Sequence, residues 1–261
     1  YLLRYRRKVV YQNLKNSFPE KPEKEIRIIE KKFYLFFCDL ILEMLKLLTI
    51  SKKELAHRFT FTPNTLTIFN RFKEEGRSSI FVLGHCGNWE WCGNAFSLLK
   101  FQQLYAIYHP LTNPQFDRFM YRMRTRFGMK LYAMKDSFKS MVQNRHEVNI
   151  TAFIADQTPP PDRAYWTTFL NQMTPVFWGT EKMAVRMNLP VIFVNIRRVK
   201  RGFYVADAEI ITETPMTTKE GEITEWHVKK LEQNIHAQPE IWLWTHRRWK
   251  HKPPVEKALI S

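Results

Sequence analysis

The sequence predicts an α/β fold: a mixed sheet between two helical layers, an αβα sandwich, preceded by an N-terminal helical segment. Three observations predict it. From Ser79 onward, short apolar runs alternate with stretches of helical periodicity. Before that, Ile26 to Leu48 repeats apolar residues at helical spacing through Ile26, Ile29, Phe33, Phe36, Leu40, Met44 and Leu47. Finally, two apolar runs end on polar, chemistry-bearing residues, as strands do where an open α/β sheet gathers its ligands.

Each element has its own signal. Between Phe33 and Leu48 the first helix is apolar nearly all round, with Asp39, Glu43 and Lys46 as a narrow polar stripe. Such a helix is buried in protein or lies partly in lipid, and its sequence leaves both open. Ser79 to Leu83 reads as a strand and Trp89 to Lys100 as a helix with Asn88 at its N-cap. Leu104 to Tyr108 is a strand, and Asn113-Pro114 opens a helix that runs to Gly128. Asn149 to Ala155 is a strand that delivers Asp156-Gln157, after which Thr158-Pro159-Pro160-Pro161 forces a loop. Thr180 is expected to cap a helix to Met187. Val191–Arg197 and Phe203–Ile210 form a hairpin around Lys200-Arg201-Gly202, and Glu225 to Ala237 is a last helix stopped by Pro239. No repeat or linker divides the chain, so residues 1–261 are expected as one domain, 1–50 helical and 51–261 the α/β core.

Composition narrows the function. Hydrophobic residues at 44%, with 15% aromatic, exclude disorder. Cys38, Cys86 and Cys92 are odd in number and lack metal-ligand spacing, which suits a reducing compartment. No metal or organic cofactor is implied. The formal net charge of +16 calls for an anionic partner: nucleic acid, acidic lipid, a phosphorylated substrate or an acidic carrier protein. Its sources are clustered: Arg4, Arg6, Arg7 and Lys8; Arg118 to Lys130; Arg197, Arg198, Lys200 and Arg201; Arg247, Arg248, Lys250 and Lys252.

The richest stretch is Gly84-His85-Cys86-Gly87-Asn88-Trp89-Glu90. It reads as a strand end, a tight turn holding an imidazole, and a helix that starts on an acid. Residues five apart do not share a helix face, so His85 must precede the helix if it is to meet Glu90. A carboxylate on one ring nitrogen would fix the tautomer and free the other nitrogen to take a proton. The bland alternative is a hydrogen-bonded structural histidine, and the short motif by itself does not decide between them. Cys86 makes a poor partner for His85, because adjacent side chains on extended chain point to opposite faces. On the helix after Pro114, Arg124 and Arg126 border the apolar face formed by Phe116, Phe119, Met120, Met123 and Phe127, while Arg118 and Arg122 point further away.

Taken together these motifs resemble the late acyltransferases of lipid A biosynthesis, the lauroyl and myristoyl transferases of the lysophospholipid-acyltransferase-like superfamily. The resemblance runs from Arg7, Asn13-Leu14 and Phe18-Pro19-Glu20 through the H-x4-E motif of His85 and Glu90. It continues in Tyr108-His109-Pro110, Asn113-Pro114, Arg124, Arg126, Asp156-Gln157 and Gly179-Thr180, and closes with Pro239 to Lys250. One position departs: His109 stands where the family usually has arginine. The resemblance implies a glycerolipid-acyltransferase-type sandwich in which His85 is the general base, Glu90 its orienting acid and Arg124 a holder of oxyanion or phosphate. Asn88, Arg126, Asp156 and Gln157 would line the substrate site; Asp156 would support the pocket, or merely cap a loop.

It further implies an acyl carrier protein thioester as donor, acyl-CoA being the lesser alternative, and a hydroxyl of a lipid A precursor as acceptor. The expected place is the cytoplasmic face of the inner membrane, against anionic lipid, with the usual anchor upstream of Tyr1. Another glycolipid or an aminolipid would fit the same chemistry. A basic nucleic-acid-binding module would account for the charge and the aromatics but has no recognition motif and leaves His85 and Glu90 unexplained; no nucleic acid is expected. Of the C-terminal aromatics, Trp242 and Trp244 are expected in the core, and Arg247 and Arg248 at solvent or headgroups.

Overall fold

The structure is a computed structural model that describes residues 5–253, so Arg4 of the first basic cluster lies outside the described residues. Two packed helices come first, α1 (Arg7–Ser17) and α2 (Glu23–Lys46), followed by α3 (Lys52–Arg58). The core then alternates: β1 (Phe59–Phe61), α4 (Pro63–Glu74), β2 (Ser79–Leu83), α5 (Trp89–Leu99), β3 (Gln103–Tyr108), α6 (Pro114–Thr125), β4 (Lys130–Ala133), α7 (Ser137–Gln143) and β5 (Asn149–Ile154). A small hairpin, β6 (Ala164–Phe169) and β7 (Gln172–Phe177), leads to α8 (Gly179–Met187), the hairpin β8 (Val191–Lys200) and β9 (Phe203–Thr212), and α9 (Glu222–Ala237).

Seven strands form one sheet in the order β1-β9-β8-β2-β5-β3-β4; every neighbouring pair is parallel except β8 with β9. The mixed sheet and its helical flanks are those the sequence predicts. Its two faces follow from the period of two. Phe81 on β2 points to the face covered by α4 and α5, where it meets Phe69 and Phe96. Phe193 on β8 points the other way, onto Trp226 of α9.

Local signals account for the ends of the central elements. Asn88 Oδ1 accepts from Trp91 N at 2.9 Å and caps α5. Asn113 Oδ1 does the same for α6, with Pro114 in the first turn. That helix stops at Thr125, before the positive-φ Gly128. Thr180 is not a cap: α8 begins at Gly179, and the Thr180 side chain is buried inside the first turn.

The long helix α2 differs from its sequence reading in a telling way. The two acids of its polar stripe face the protein, while Lys46 is exposed. Asp39 pairs with Arg198 and Arg201 of the β8–β9 hairpin at 2.6 and 2.7 Å. Glu43 accepts from Asn88 Nδ2 and the Tyr204 hydroxyl, both at 2.8 Å. Glu30 pairs with Arg7 and Arg27. β8 runs parallel to β2, so Arg198 stands at the same end of the sheet as His85, and α2 crosses that end. No helix among the described residues is long and apolar enough to cross a membrane.

Candidate functional site

β2 and β5 lie side by side with Leu83 opposite Ile154, and Ala155 N donates to Leu83 O at 3.0 Å. Two residues beyond that register pair come His85 on one strand and Asp156 on the other. Their meeting is therefore a consequence of sheet register. His85 Nδ1 and Asp156 Oδ1 are 2.5 Å apart, and His85 N donates to Asp156 Oδ2 at 2.7 Å. Trp242 Nε1 donates to the same Oδ2, also at 2.7 Å. Burial works against the charge on Asp156, but the imidazole and these donors outweigh it and hold the carboxyl below the usual carboxylate range. With Nδ1–H given to Asp156, the Nε2 lone pair is directed away from the carboxylate, where Gln157 Nε2 approaches to 3.3 Å. The Trp89 ring stands edge-on to the imidazole at 4.9 Å.

This corrects the expected pairing. Glu90 is not the carboxylate on His85. It lies in the first turn of α5, buried, and takes Arg124 in a fork: Nη2 at 2.6 Å and Nε at 3.0 and 3.1 Å from its two oxygens. The helical start turns Glu90 toward α6, while the turn before it leaves His85 over the sheet. Arg124 keeps a raised pKa, the attraction of Glu90 overcoming its burial. No hydrogen bond from Arg124 Nη1 is found among the described residues.

The tight turn depends on two glycines. A Cβ at Gly84 would sit 2.5 Å from Leu231 Cδ1 and 3.2 Å from Asp156 Oδ2, so a side chain there would push the carboxylate off the imidazole. Gly87 has φ +58°, and a Cβ there would meet Ile196 Cγ2 at 2.6 Å.

Beneath His85 a cavity of about 310 Å³ runs between the sheet and α5. It exists because the facing residues are small: Ala106 and Ala152 are register partners on β3 and β5, and Gly93 opposes them from α5. Phe61, Phe69, Phe81 and Phe96 line the same cavity, whose polar wall is made by His85, Glu90, Tyr108, His109, Arg124 and Gln157. Of the residues expected at the site, His85, Glu90, Arg124, Asp156 and Gln157 come together. Asn88 and Arg126 do not. Asn88 is fully buried as the α5 cap and a donor to Glu43. Arg126 Nη1 donates to Leu47 O and Ile50 O, closing the C-terminal end of α2.

The model of the family described as bacterial lipid A biosynthesis acyltransferase matches residues 1–251. The chain belongs to the bacterial lipid A biosynthesis acyltransferase family. Among relatives, it is similar to the lipid A biosynthesis myristoyltransferase of Escherichia coli (strain K12), 24% identical over 160 residues, which are 60% of this chain and 48% of that protein. It is also similar to lipid A biosynthesis acyltransferase 2 of Shigella flexneri, 23% identical over 60% of this chain and 49% of that protein. The matched segment thus spans about half the length of these relatives.

In this member of the lipid A biosynthesis acyltransferase family, the C-terminal segment does more than fill the core. Trp242 and Trp244 are buried, as expected, but Trp242 also donates a hydrogen bond to Asp156. His246, held neutral by burial with its pKa down at about 4, takes the Thr158 amide at 3.2 Å on Nε2 and so fixes the loop that follows Asp156-Gln157. Sequence reasoning missed both supports, since a tryptophan 86 positions from its acceptor leaves no local trace. Arg248, expected at solvent, is buried and donates to Pro175 O at 2.7 Å; burial brings its pKa down to about 10. Among the described residues, no group of three or more His, Cys, Asp or Glu side chains could hold a metal ion.

Proposed function

We propose that this chain is an O-acyltransferase that moves a fatty acyl group from an acyl carrier protein thioester to a hydroxyl of a lipid A precursor. His85 is the general base and Asp156 its orienting acid. Nε2 takes the hydroxyl proton as the oxygen attacks the thioester carbonyl; the tetrahedral oxyanion then collapses, the C–S bond breaks and the thiolate leaves, reprotonated from the imidazolium. Asp156 stabilises that imidazolium and keeps Nδ1 protonated throughout. Arg124, whose Nε and Nη2 are engaged by Glu90, offers Nη1 to the oxyanion or to a substrate phosphate.

The observation that carries the reading is the position of the His85–Asp156 pair on the rim of an apolar cavity. A lining of phenylalanine, leucine and alanine suits an alkyl chain, and the cavity volume falls within the range of about 300–1,000 Å³ usual for small-molecule sites. The positive charge suits an acidic carrier protein, a phosphorylated acceptor and an anionic lipid surface, and so supports a reaction at the cytoplasmic face of the inner membrane. A nucleic-acid-binding reading leaves the His85–Asp156 pair and the apolar cavity beside it without a role.

The test is direct. Purified protein is incubated with acylated carrier protein and a lipid A precursor, and the lipid is weighed by mass spectrometry. A gain of one ester-linked acyl chain is expected with the wild-type chain and not with His85→Ala. Wild-type protein that leaves the precursor unchanged while a hydroxyl-free or amine-bearing lipid gains the chain would overturn it.

A further inference from the structure

We propose that the outward face of α2 is a membrane-docking surface, lying in the interface of an anionic bilayer with its apolar side chains among the acyl chains. The helix is amphipathic in reverse. Beyond the first turn, where Glu23 and Glu25 are exposed, its acids Glu30, Asp39 and Glu43 are buried against the protein, each with hydrogen-bonding partners there. Its exposed side carries Leu35, Ile41, Leu42 and Leu45, continued by Leu48 in the turn that follows, and Leu35, Leu42 and Leu45 are 54, 61 and 50% exposed. Spacing of seven and three along this series makes one continuous stripe. A row of leucines facing water is a cost that an ordinary surface helix avoids.

Charge identifies the occupant. From Lys31 to Thr49 the exposed charged residues are Lys31, Lys32 and Lys46, with no acid among them, although Lys46 pairs with Glu54 of α3 at 3.0 Å. Lys52 and Lys53 extend the basic rim beyond the helix. A second copy of the chain would bring an identical basic rim, on a protein of net charge +16, against this one. An anionic lipid surface instead satisfies both halves: leucines enter the acyl region while lysine ammonium groups stay at headgroup level. The position agrees. α2 crosses the end of the sheet where His85 and Asp156 stand, and Glu43 bonds to Asn88, three residues from His85. Docking through α2 would bring that end of the molecule to the lipid from which an acceptor comes. The assignment deepens the membrane part of the proposed function and rests on it for that last point alone.

Cys38 provides the probe. It is exposed near the middle of this face, whereas Cys86 and Cys92 are buried with their thiols pushed up by burial, so a maleimide dye labels Cys38 selectively. With an environment-sensitive dye at Cys38, phosphatidylcholine vesicles containing phosphatidylglycerol should shift the emission to the blue, and pure phosphatidylcholine should do so far less. The variant Leu35→Glu/Leu42→Glu/Leu45→Glu should lower the vesicle partition coefficient about tenfold or more, with an unchanged melting temperature because the replaced side chains are exposed.

Vesicle binding equal to wild type in that variant would overturn the assignment. So would binding that leaves the Cys38 dye unaffected, or a blue shift without vesicles that tracks dimer formation in sedimentation velocity. Acyl transfer to detergent-dispersed acceptor, measured in parallel, should be the same in the variant as in wild type. If wild type transfers no acyl group while the vesicle results stand, the enzymatic reading fails and the docking face does not.

Discussion

Asp156 reaches His85 across two neighbouring parallel strands, Oδ1 to Nδ1 at 2.5 Å, while Glu90, five residues from the same histidine, turns to Arg124. Two carboxylates therefore divide two tasks. One orients an imidazole; the other anchors a guanidinium at the cavity wall.

The division predicts unequal effects on the chemical step. Asp156→Asn keeps the volume but can present its amide to Nδ1 and select the wrong tautomer, so kcat should fall by about two to four orders of magnitude. His85→Ala should abolish turnover with the fold retained. Glu90→Gln should cost less than Asp156→Asn, since no proton is routed through it. Single-turnover rates with a fixed acylated donor check the order; a Glu90→Gln enzyme slower than Asp156→Asn would reverse the assignment.

The Glu90–Arg124 pair should show itself in stability. Glu90 is buried and Arg124 about three-quarters so, and removing one partner strands the other charge. Loss of one member of a buried pair costs about 3–5 kcal/mol, and the partial exposure of Arg124 puts Arg124→Ala near about 3 kcal/mol. Glu90→Gln/Arg124→Met should recover most of that loss in urea titrations without recovering activity. A double variant no more stable than Arg124→Ala would mean that the cost is packing and not charge.

Legibility in the sequence followed the range of each interaction. Strand β2, the Asn88 cap and the acid in the first turn of α5 are local, and composition and spacing reveal them. The His85–Asp156 pair depends on the register of β2 against β5, a relation between segments 71 residues apart, and spacing cannot report it. The polar stripe of α2 was visible as a stripe, yet its direction was not. Whether Asp39 meets water or protein depends on Arg198 and Arg201, which arrive from a distant hairpin. Edge strands β1 and β4 have three and four residues, too few to alternate. The β6–β7 turn uses Leu170-Asn171, both at positive φ, and so lacks the glycine by which such turns are usually recognised.

The cavity makes a prediction about chain length. Ala152 and Ala106 sit opposite each other in register on the cavity face, and Ala152→Leu would fill part of the space between sheet and α5. Each buried methylene is worth about 0.8 kcal/mol, or about fourfold in binding. Donors long enough to reach Ala152 should lose kcat/KM by about that factor per displaced methylene, while shorter donors keep theirs. Competition assays over a series of acyl lengths measure it. An equal loss for all lengths would mean that the acyl chain lies elsewhere.

A last prediction concerns acid stability and comes from a histidine outside the chemistry. His227 on α9 is buried, its Nδ1 against Ile223 O at 3.2 Å, and burial brings its pKa down to about 4 despite the nearby charges of Glu181 and Asp156. The free imidazole has a pKa of about 6.5. Between those values the unfolded chain binds a proton that the folded chain refuses, so stability present above pH 6.5 is lost as the pH falls toward 4. From pH 7 to pH 5 this one group should remove about 2 kcal/mol. His227→Gln cannot take up that proton in either state. Its unfolding free energy should therefore decline between pH 7 and pH 5 by about 2 kcal/mol less than the wild type's, whatever the substitution costs at neutral pH. Urea titrations of both proteins at the two pH values measure the difference, and parallel declines would mean that His227 is protonated within the folded protein.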